Sequence, residues 1–143
     1  MNRILIVHPY GIGDLLCTLP LLKAIREAHP KACVGFLCNR RTESLVRSFP
    51  GVDDVIVFEK DEFREQFSNS KRQWLVQIFK LFQTIRAGRW EIAIDLSMNA
   101  QFGAALACLQ IPKRIGFNFR GRGRFLTNRV DLLGFDNRHV SEY

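Results

Sequence analysis

The chain has 143 residues, of which 47% are hydrophobic and 24% charged. That size and balance suit one globular domain with its own core and exclude a disordered chain. There is no apolar run of about 18 residues to cross a membrane and no fixed-period repeat, which excludes a transmembrane helix and a solenoid.

The net charge is +7, and it is concentrated. The stretch Pro112–Arg129 holds Lys113, Arg114, Arg120, Arg122, Arg124 and Arg129 with no acid, so it carries six of the seven units. A local basic feature points to a localised anionic partner rather than to a generally cationic surface. The amino terminus has one Arg, a short apolar run and then His-Pro-Tyr-Gly, with no small-residue cleavage site, so it does not read as a secretory signal and a cytoplasmic location is expected. Four cysteines stand at 17, 33, 38 and 108 with no C-x-x-C pair, and His8, His29 and His139 do not cluster with them. No metal site is expected, and the thiols read as reduced and mostly buried.

In chain order, Arg3–His8 is a nearly continuous apolar run, as in a strand buried on both faces. A turn-rich loop follows through Asp14. Leu15, Leu19, Leu22 and Ile25 then recur at helical spacing. Pro20 within them requires either a kink or a helix that starts near it. Cys33–Cys38 is a second strand, Thr42–Phe49 a short helix closed by Pro50-Gly51, and Asp54–Phe58 a third strand. Glu59–Lys71 is polar and without clear period, which fits a loop or insertion. Trp74, Ile78, Leu81, Phe82 and Ile85 mark one face of an amphipathic helix ending near Gly88. Glu91–Leu96 is a fourth strand, Ala100–Leu109 a helix, and Arg114–Phe117 a short fifth strand. The alternation predicts an α/β fold, a Rossmann-like doubly wound parallel sheet. Ligands of such sheets bind beyond the strand carboxyl ends, so the loops His8–Asp14, Phe58 onward and Leu96–Ala100 are the places to look.

Three constellations could carry chemistry. In Gly11-Ile12-Gly13-Asp14, paired glycines permit a tight turn and a close approach to a ligand, and a helix start beyond them offers N–H groups to an anion. Leu16 replaces the third glycine of a dinucleotide fingerprint, and Asn39, Arg40 and Arg41 replace its acid. NAD is disfavoured, while NADP stays open because Arg40 and Arg41 could meet a 2′-phosphate. Asp14 is either a helix N-cap, which stabilises by about 1 kcal/mol, or a general base for an attacking hydroxyl. The second constellation is Arg120-Gly121-Arg122-Gly123-Arg124 among Phe117, Phe119 and Phe125. It can be a solvated loop, a phosphate- or carboxylate-binding segment for an anionic substrate or membrane surface, or an arginine-glycine nucleic-acid segment. The third is Asp95, which can tie its own loop by local hydrogen bonds or face a ligand. His8 and His139 read as structural histidines.

The stretches Ile4-Leu5-Ile6-Val7, Gly11-Ile12-Gly13-Asp14-Leu15-Leu16 and Thr18-Leu19-Pro20-Leu21-Leu22-Lys23-Ala24-Ile25 together resemble the opening of glycosyltransferase family 9. That family contains the ADP-heptose:lipopolysaccharide heptosyltransferases. Weaker likenesses follow at Phe49-Pro50-Gly51-Val52-Asp53-Asp54-Val55-Ile56, Ile94-Asp95-Leu96, Arg114-Ile115-Gly116-Phe117 and His139-Val140-Ser141-Glu142-Tyr143. The loop His8-Pro9-Tyr10 departs from the basic or small polar residue the family often carries there.

The resemblance implies the amino-terminal half of a GT-B enzyme, two Rossmann-type domains facing a cleft. Residues 1–143 would form the acceptor-binding domain. The nucleotide-sugar donor, ADP-heptose, would sit on a carboxyl-terminal domain that this chain lacks. It further implies Asp14 as catalytic base, and substrate binding by Gly11, Ile12, Gly13, Asp95, Arg120 and Arg122. No metal or other cofactor is implied. The implied partner is a lipid-linked anionic oligosaccharide acceptor, the lipopolysaccharide core, with peripheral association with the inner membrane and no nucleic acid. Transfer needs donor and acceptor oriented together, so the chain alone is expected to be inactive. An exposed apolar face near the strand carboxyl ends is also expected, where the second domain would pack. The alternatives are a stand-alone NADP- or nucleotide-binding domain and a binding module for anionic ligands.

Overall fold

The computed structural model describes residues 2–59 and 70–132. The likeness at His139–Tyr143 and most of the polar stretch after Phe58 lie outside them. Six strands form one parallel sheet: β1 (Arg3–Val7), β2 (Cys33–Cys38), β3 (Asp54–Val57), β4 (Ile92–Asp95), β5 (Lys113–Phe119) and β6 (Asn128–Leu132). Their order is β3-β2-β1-β4-β5-β6, with every neighbouring pair parallel. Between them run the helices α1 (Ile12–Leu16), α2 (Leu19–Ala28), α3 (Glu43–Arg47), α4 (Lys71–Ala87) and α5 (Ala100–Cys108).

β1 lies at the centre, and alternation along it assigns its side chains to two cores. Ile4 and Ile6 join Val34, Phe36 and Cys38 beneath α1, α2 and α3, where Leu15, Leu22, Ile25 and Val46 pack. Leu5 and Val7 join Leu37, Ile56 and Ala93 on the opposite face, with Ile85 of α4 and Leu106 of α5. The sheet is therefore doubly wound, as the alternation of elements predicts. Pro20 resolves to the second of its two options: α1 ends at Leu16, and α2 starts at Leu19 with the proline in its first turn, where its missing N–H costs nothing.

Two networks brace the amino-terminal side of the strands. On α2, Arg26 donates to the carbonyls of Gly51 (2.8 Å from Nε) and Ala32 (2.6 Å) and to the Asp53 carboxylate (2.6 Å). Gly51 holds φ +93°, a backbone state that favours glycine. Burial alone would push the Asp53 carboxyl up, but hydrogen bonds from Val34 N–H and Arg26 outweigh it and hold the group low. Trp90 is buried against Gly35 and Gly88, and the Arg3 guanidinium lies 5.1 Å from the centre of its ring.

Three features depart from the sequence reading. β5 runs longer than Arg114–Phe117, and β6 follows it unannounced. Only residues 120–127 join these two parallel strands, where such crossovers usually hold a dozen residues or a helix. Much of the basic stretch is consequently folded. Arg114 spends its guanidinium on the carbonyls of Phe125 (2.8 Å) and Ile111 (2.5 Å). The thiols are all free, as expected, but not mostly buried: Cys17 and Cys108 are exposed and Cys33 is intermediate. Cys17 and Cys108 sit at solvent-facing positions at helix ends, and Cys33 opens β2, distinctions that periodicity did not make. Cys38 is the buried one, and burial pushes its thiol up to about 11.

Candidate functional site

In this strand order the chain winds one way from β1 to β3 and the other way from β4 to β6. The crevice between the carboxyl ends of β1 and β4 is thus the switch point where such sheets bind ligands. Two loops meet there. After β1 come His8, Pro9, Tyr10 and Gly11, and after β4 come Leu96, Ser97, Met98 and Asn99.

Tyr10 ties the loops together, because its hydroxyl donates to the Ser97 carbonyl across the crevice. Ser97 is in turn fixed from below. Its N–H donates to Asp95 Oδ1 at 2.9 Å, and its hydroxyl accepts from Asn99 N–H at 3.2 Å. Met98 takes φ +49°, an uncommon state for a side chain with a Cβ, and Asn99 then caps α5 by accepting from Gln101 N–H at 3.1 Å. On the other side Asn39, at the end of β2, donates to the carbonyl of Tyr10 at 2.8 Å. Its own oxygen receives the N–H of Thr42 at 3.0 Å.

His8 is buried behind this rim. Its N–H donates to the Leu37 carbonyl at 2.9 Å, and its ring meets Tyr10 edge-on with centroids 5.7 Å apart. Nδ1 has no hydrogen-bond partner among the described residues. Burial is the main influence on the imidazole and lowers it below its usual value, with Asp14 pulling the other way.

Asp14 does not cap α1. Gly11 occupies that position with extended backbone and no side-chain bond, and Asp14 stands exposed in the first turn. A carboxylate within a turn of the N-terminus still interacts well with the helix dipole, but the side chain is left facing solvent over the crevice. Neither Gly11 nor Gly13 adopts positive φ, and a Cβ at either would meet nothing within 4 Å. The pair uses no backbone state that only glycine allows, and it leaves the backbone bare. Tyr10, Ile12 and Leu16 are exposed at the same edge.

The electrostatics of Tyr10 show which groups converge. Burial chiefly pushes its hydroxyl up, Asp95 and Asp14 add to that, and Arg122 opposes them. Asp14, Asp95 and Arg122 therefore all lie within electrostatic reach of one side chain. Asp95 is buried under its loop and serves it by local hydrogen bonding; burial raises its carboxyl above the ordinary range, against the pull of Ser97. Arg120 turns away onto Phe119, 5.0 Å from its ring centre, and Arg124 does the same with Phe125 at 4.9 Å. Two of the three phenylalanines that gave the stretch its nucleic-acid look, Phe119 and Phe125, are occupied by arginines of the chain itself. Sequence reasoning missed Tyr10, Ser97 and Asn39. The only trace of them is Asn39-x-x-Thr42, the spacing of a local side-chain cap.

No group of three His, Cys, Asp or Glu comes together among the described residues in a way that could hold a metal ion. An apolar groove of about 700 Å³ opens beside the crevice, from Pro9 and Tyr10 along the gap between α4 and α5.

No protein-family model matches the sequence, and no curated protein matches it. Solved structures do match. The E. coli ADP-heptose lps heptosyltransferase II superposes with a TM-score of 0.70 and 22% identity over 92% of this chain and 35% of its own. The E. coli heptosyltransferase WaaC with ADP-2-deoxy-2-fluoro heptose gives 0.82 and 19%, over 98% of this chain and 45% of its own. A glycosyl transferase family 9 protein from Veillonella parvula DSM 2008 gives 0.76 and 22%, over 99% and 39%. The chain spans less than half the length of each, and what the likeness shows is the fold: a Rossmann-like parallel α/β domain of the kind found in heptosyltransferases and family 9 glycosyl transferases.

Proposed function

We propose that the chain is the acceptor-binding domain of a heptosyltransferase-like glycosyltransferase, with residues 1–143 forming one GT-B half and a donor-binding domain completing the enzyme. The observation that carries this reading is the placement of Asp14. It is an exposed carboxylate at the switch-point crevice, next to a stretch of backbone bare enough for a substrate to approach closely. The fold likeness to enzymes solved with ADP and with an ADP-heptose analogue supports the same reading.

In the proposed reaction an acceptor hydroxyl attacks the anomeric carbon of the donor sugar. The new C–O bond forms as the bond to the nucleoside diphosphate breaks, and the diphosphate leaves with the electron pair. Asp14 accepts the hydroxyl proton. Gly11, Ile12 and Gly13 line the approach, and Arg122 meets an anionic group of the acceptor, a lipid-linked lipopolysaccharide core. Asp95 acts beneath the surface, by holding Ser97 and thereby Tyr10. Arg120, stacked on Phe119, has the weaker geometric claim to the substrate. On the dinucleotide alternative, Asn39 stands where the ribose-binding acid of an NAD site would be, with its amide committed to the Tyr10 carbonyl, and an NADP site would rest on Arg40 and Arg41.

The test is sugar transfer from ADP-heptose to a heptose-acceptor core by a longer protein that contains this chain with a donor domain. Asp14→Ala should lower kcat by about 10²- to 10⁴-fold, the usual worth of a general base, with little change in KM. Wild-type rates in that variant remove Asp14 from the mechanism, and no transfer by the unmodified protein removes the proposed function.

A further inference from the structure

Among the described phenylalanines, tyrosines and tryptophans, two are exposed: Phe79 on α4 and Tyr10 at the switch-point crevice. Tyr10 is held from three sides. Its hydroxyl donates to the Ser97 carbonyl, its own carbonyl accepts from Asn39 Nδ2 at 2.8 Å, and its ring meets the buried His8 edge-on at 89°. Even so, 38% of the residue stays open. Bracing the two loops needs those bonds and no open ring. An aromatic side chain already ordered in this way has little rotamer freedom left to lose when a ligand covers it.

The surroundings decide what kind of ligand. Between Tyr10 and Asp14 the chain offers Gly11 and Gly13, where a Cβ would meet nothing within 4 Å. Asp14 and Arg122 both lie within electrostatic reach of the Tyr10 hydroxyl, and with Pro9 the residue borders the apolar groove. A group that covers Tyr10 must therefore be apolar toward the ring and carry hydroxyls at its rim, one of them toward Asp14. A pyranose ring fits, because its C–H bonds gather on one face and its hydroxyls project around the edge. A phosphate or carboxylate does not, because it would meet the negative face of the aromatic ring beside an acid. We infer that Tyr10 is the stacking platform for the acceptor's sugar ring, and so a specificity-determining residue of the crevice. This assignment rests on the proposed transfer for the role of Asp14. It adds which part of the acceptor lands where: the C–H face on Tyr10, the attacking hydroxyl at Asp14 and the anionic groups toward Arg122. A sugar with an axial hydroxyl on the stacked face is disfavoured, since that hydroxyl would lose its water against the ring without gaining a partner.

The test measures two quantities in the longer protein that carries a donor domain: KM for the heptose-acceptor core, and the dissociation constant of that core without donor. Tyr10→Leu removes the ring and should raise both by about tenfold, with kcat changed by less than about threefold. Tyr10→Phe keeps the ring and loses only the bond to Ser97, and Tyr10→Trp restores a larger ring; both should stay within about threefold of wild type. The loss in Tyr10→Leu should persist at high salt, unlike the loss of a charge contact. Phe79→Leu, at the other exposed ring, should change neither quantity. Saturation-transfer NMR on the unmodified protein gives a reading that needs no variant: irradiating aromatic protons should enhance the C–H protons of one sugar face above the rest. The platform is overturned if Tyr10→Leu binds like wild type, if Tyr10→Phe loses as much as Tyr10→Leu, if the loss falls on kcat alone, or if no sugar face is enhanced. Binding that depends on the ring in a protein that transfers nothing would sink the proposed transfer and keep the platform. Transfer that ignores the ring would do the reverse.

Discussion

At the scale of single residues, His8 shows how a buried titratable group leaves a mark on folding. Burial favours its neutral form, so its folded value lies below the ordinary 6.5. Once the pH falls below about 6.5, the unfolded chain takes up a proton that the folded ring resists, and stability declines until the folded value is passed. His8→Phe keeps an aromatic ring against Phe36 and Tyr10 and removes the titration. Urea midpoints at about pH 7.5 and about pH 5 should therefore differ less in the variant than in wild type. An equal difference would mean that His8 is not what the acid limb reports.

At the scale of elements, the amino-terminal side of the sheet turns on one fit. A Cβ at Gly35 in β2 would lie 2.2 Å from the Trp90 ring, a distance no real contact allows. Gly35→Ala should cost about 1–3 kcal/mol as the indole is forced out of its seat. Trp90→Leu in the same chain should recover part of that loss, and a double-mutant cycle by denaturant unfolding would reveal the coupling. Independent, additive losses would place the strain elsewhere.

Strands β1 to β4 and helices α2, α4 and α5 were legible in the sequence because burial on both sheet faces writes continuous apolar runs, and half-burial writes a 3.6-residue period. β6 was not legible for the opposite reason. It is an edge strand whose Asn128, Arg129, Val130 and Asp131 are exposed, and the short return before it breaks the strand-helix alternation. At the candidate site, Gly11, Gly13 and Asp14 stood out through spacing and resemblance. Tyr10, Ser97 and Asn39 act through hydrogen bonds between loops distant in sequence, which leave no periodic trace.

For the molecule as a whole, the sheet order implies a gradient of local stability. β1 is hydrogen-bonded on both edges and buried on both faces, whereas β6 pairs on one side only and turns exposed side chains outward. Amide exchange in β1 should require global unfolding, and amides of β6 should exchange first among the six strands, through local opening. Protection of β6 equal to that of β1 would show that something else covers that edge. The charge is just as uneven: the loop bearing Arg122 meets the crevice, while the cations of α4 line the flank beside it.

The two tryptophans fall on opposite sides of this division. Trp90 is sealed under β2, and Trp74 is only partly covered near the start of α4. Their fluorescence should consequently report separate events. The sealed indole emits at short wavelength and shifts red only when the sheet comes apart. The one on α4 answers to quenchers in the solvent and to whatever enters the groove that it lines. Trp90→Leu, besides relieving Gly35→Ala, leaves a chain whose single indole lines the apolar groove beside the crevice.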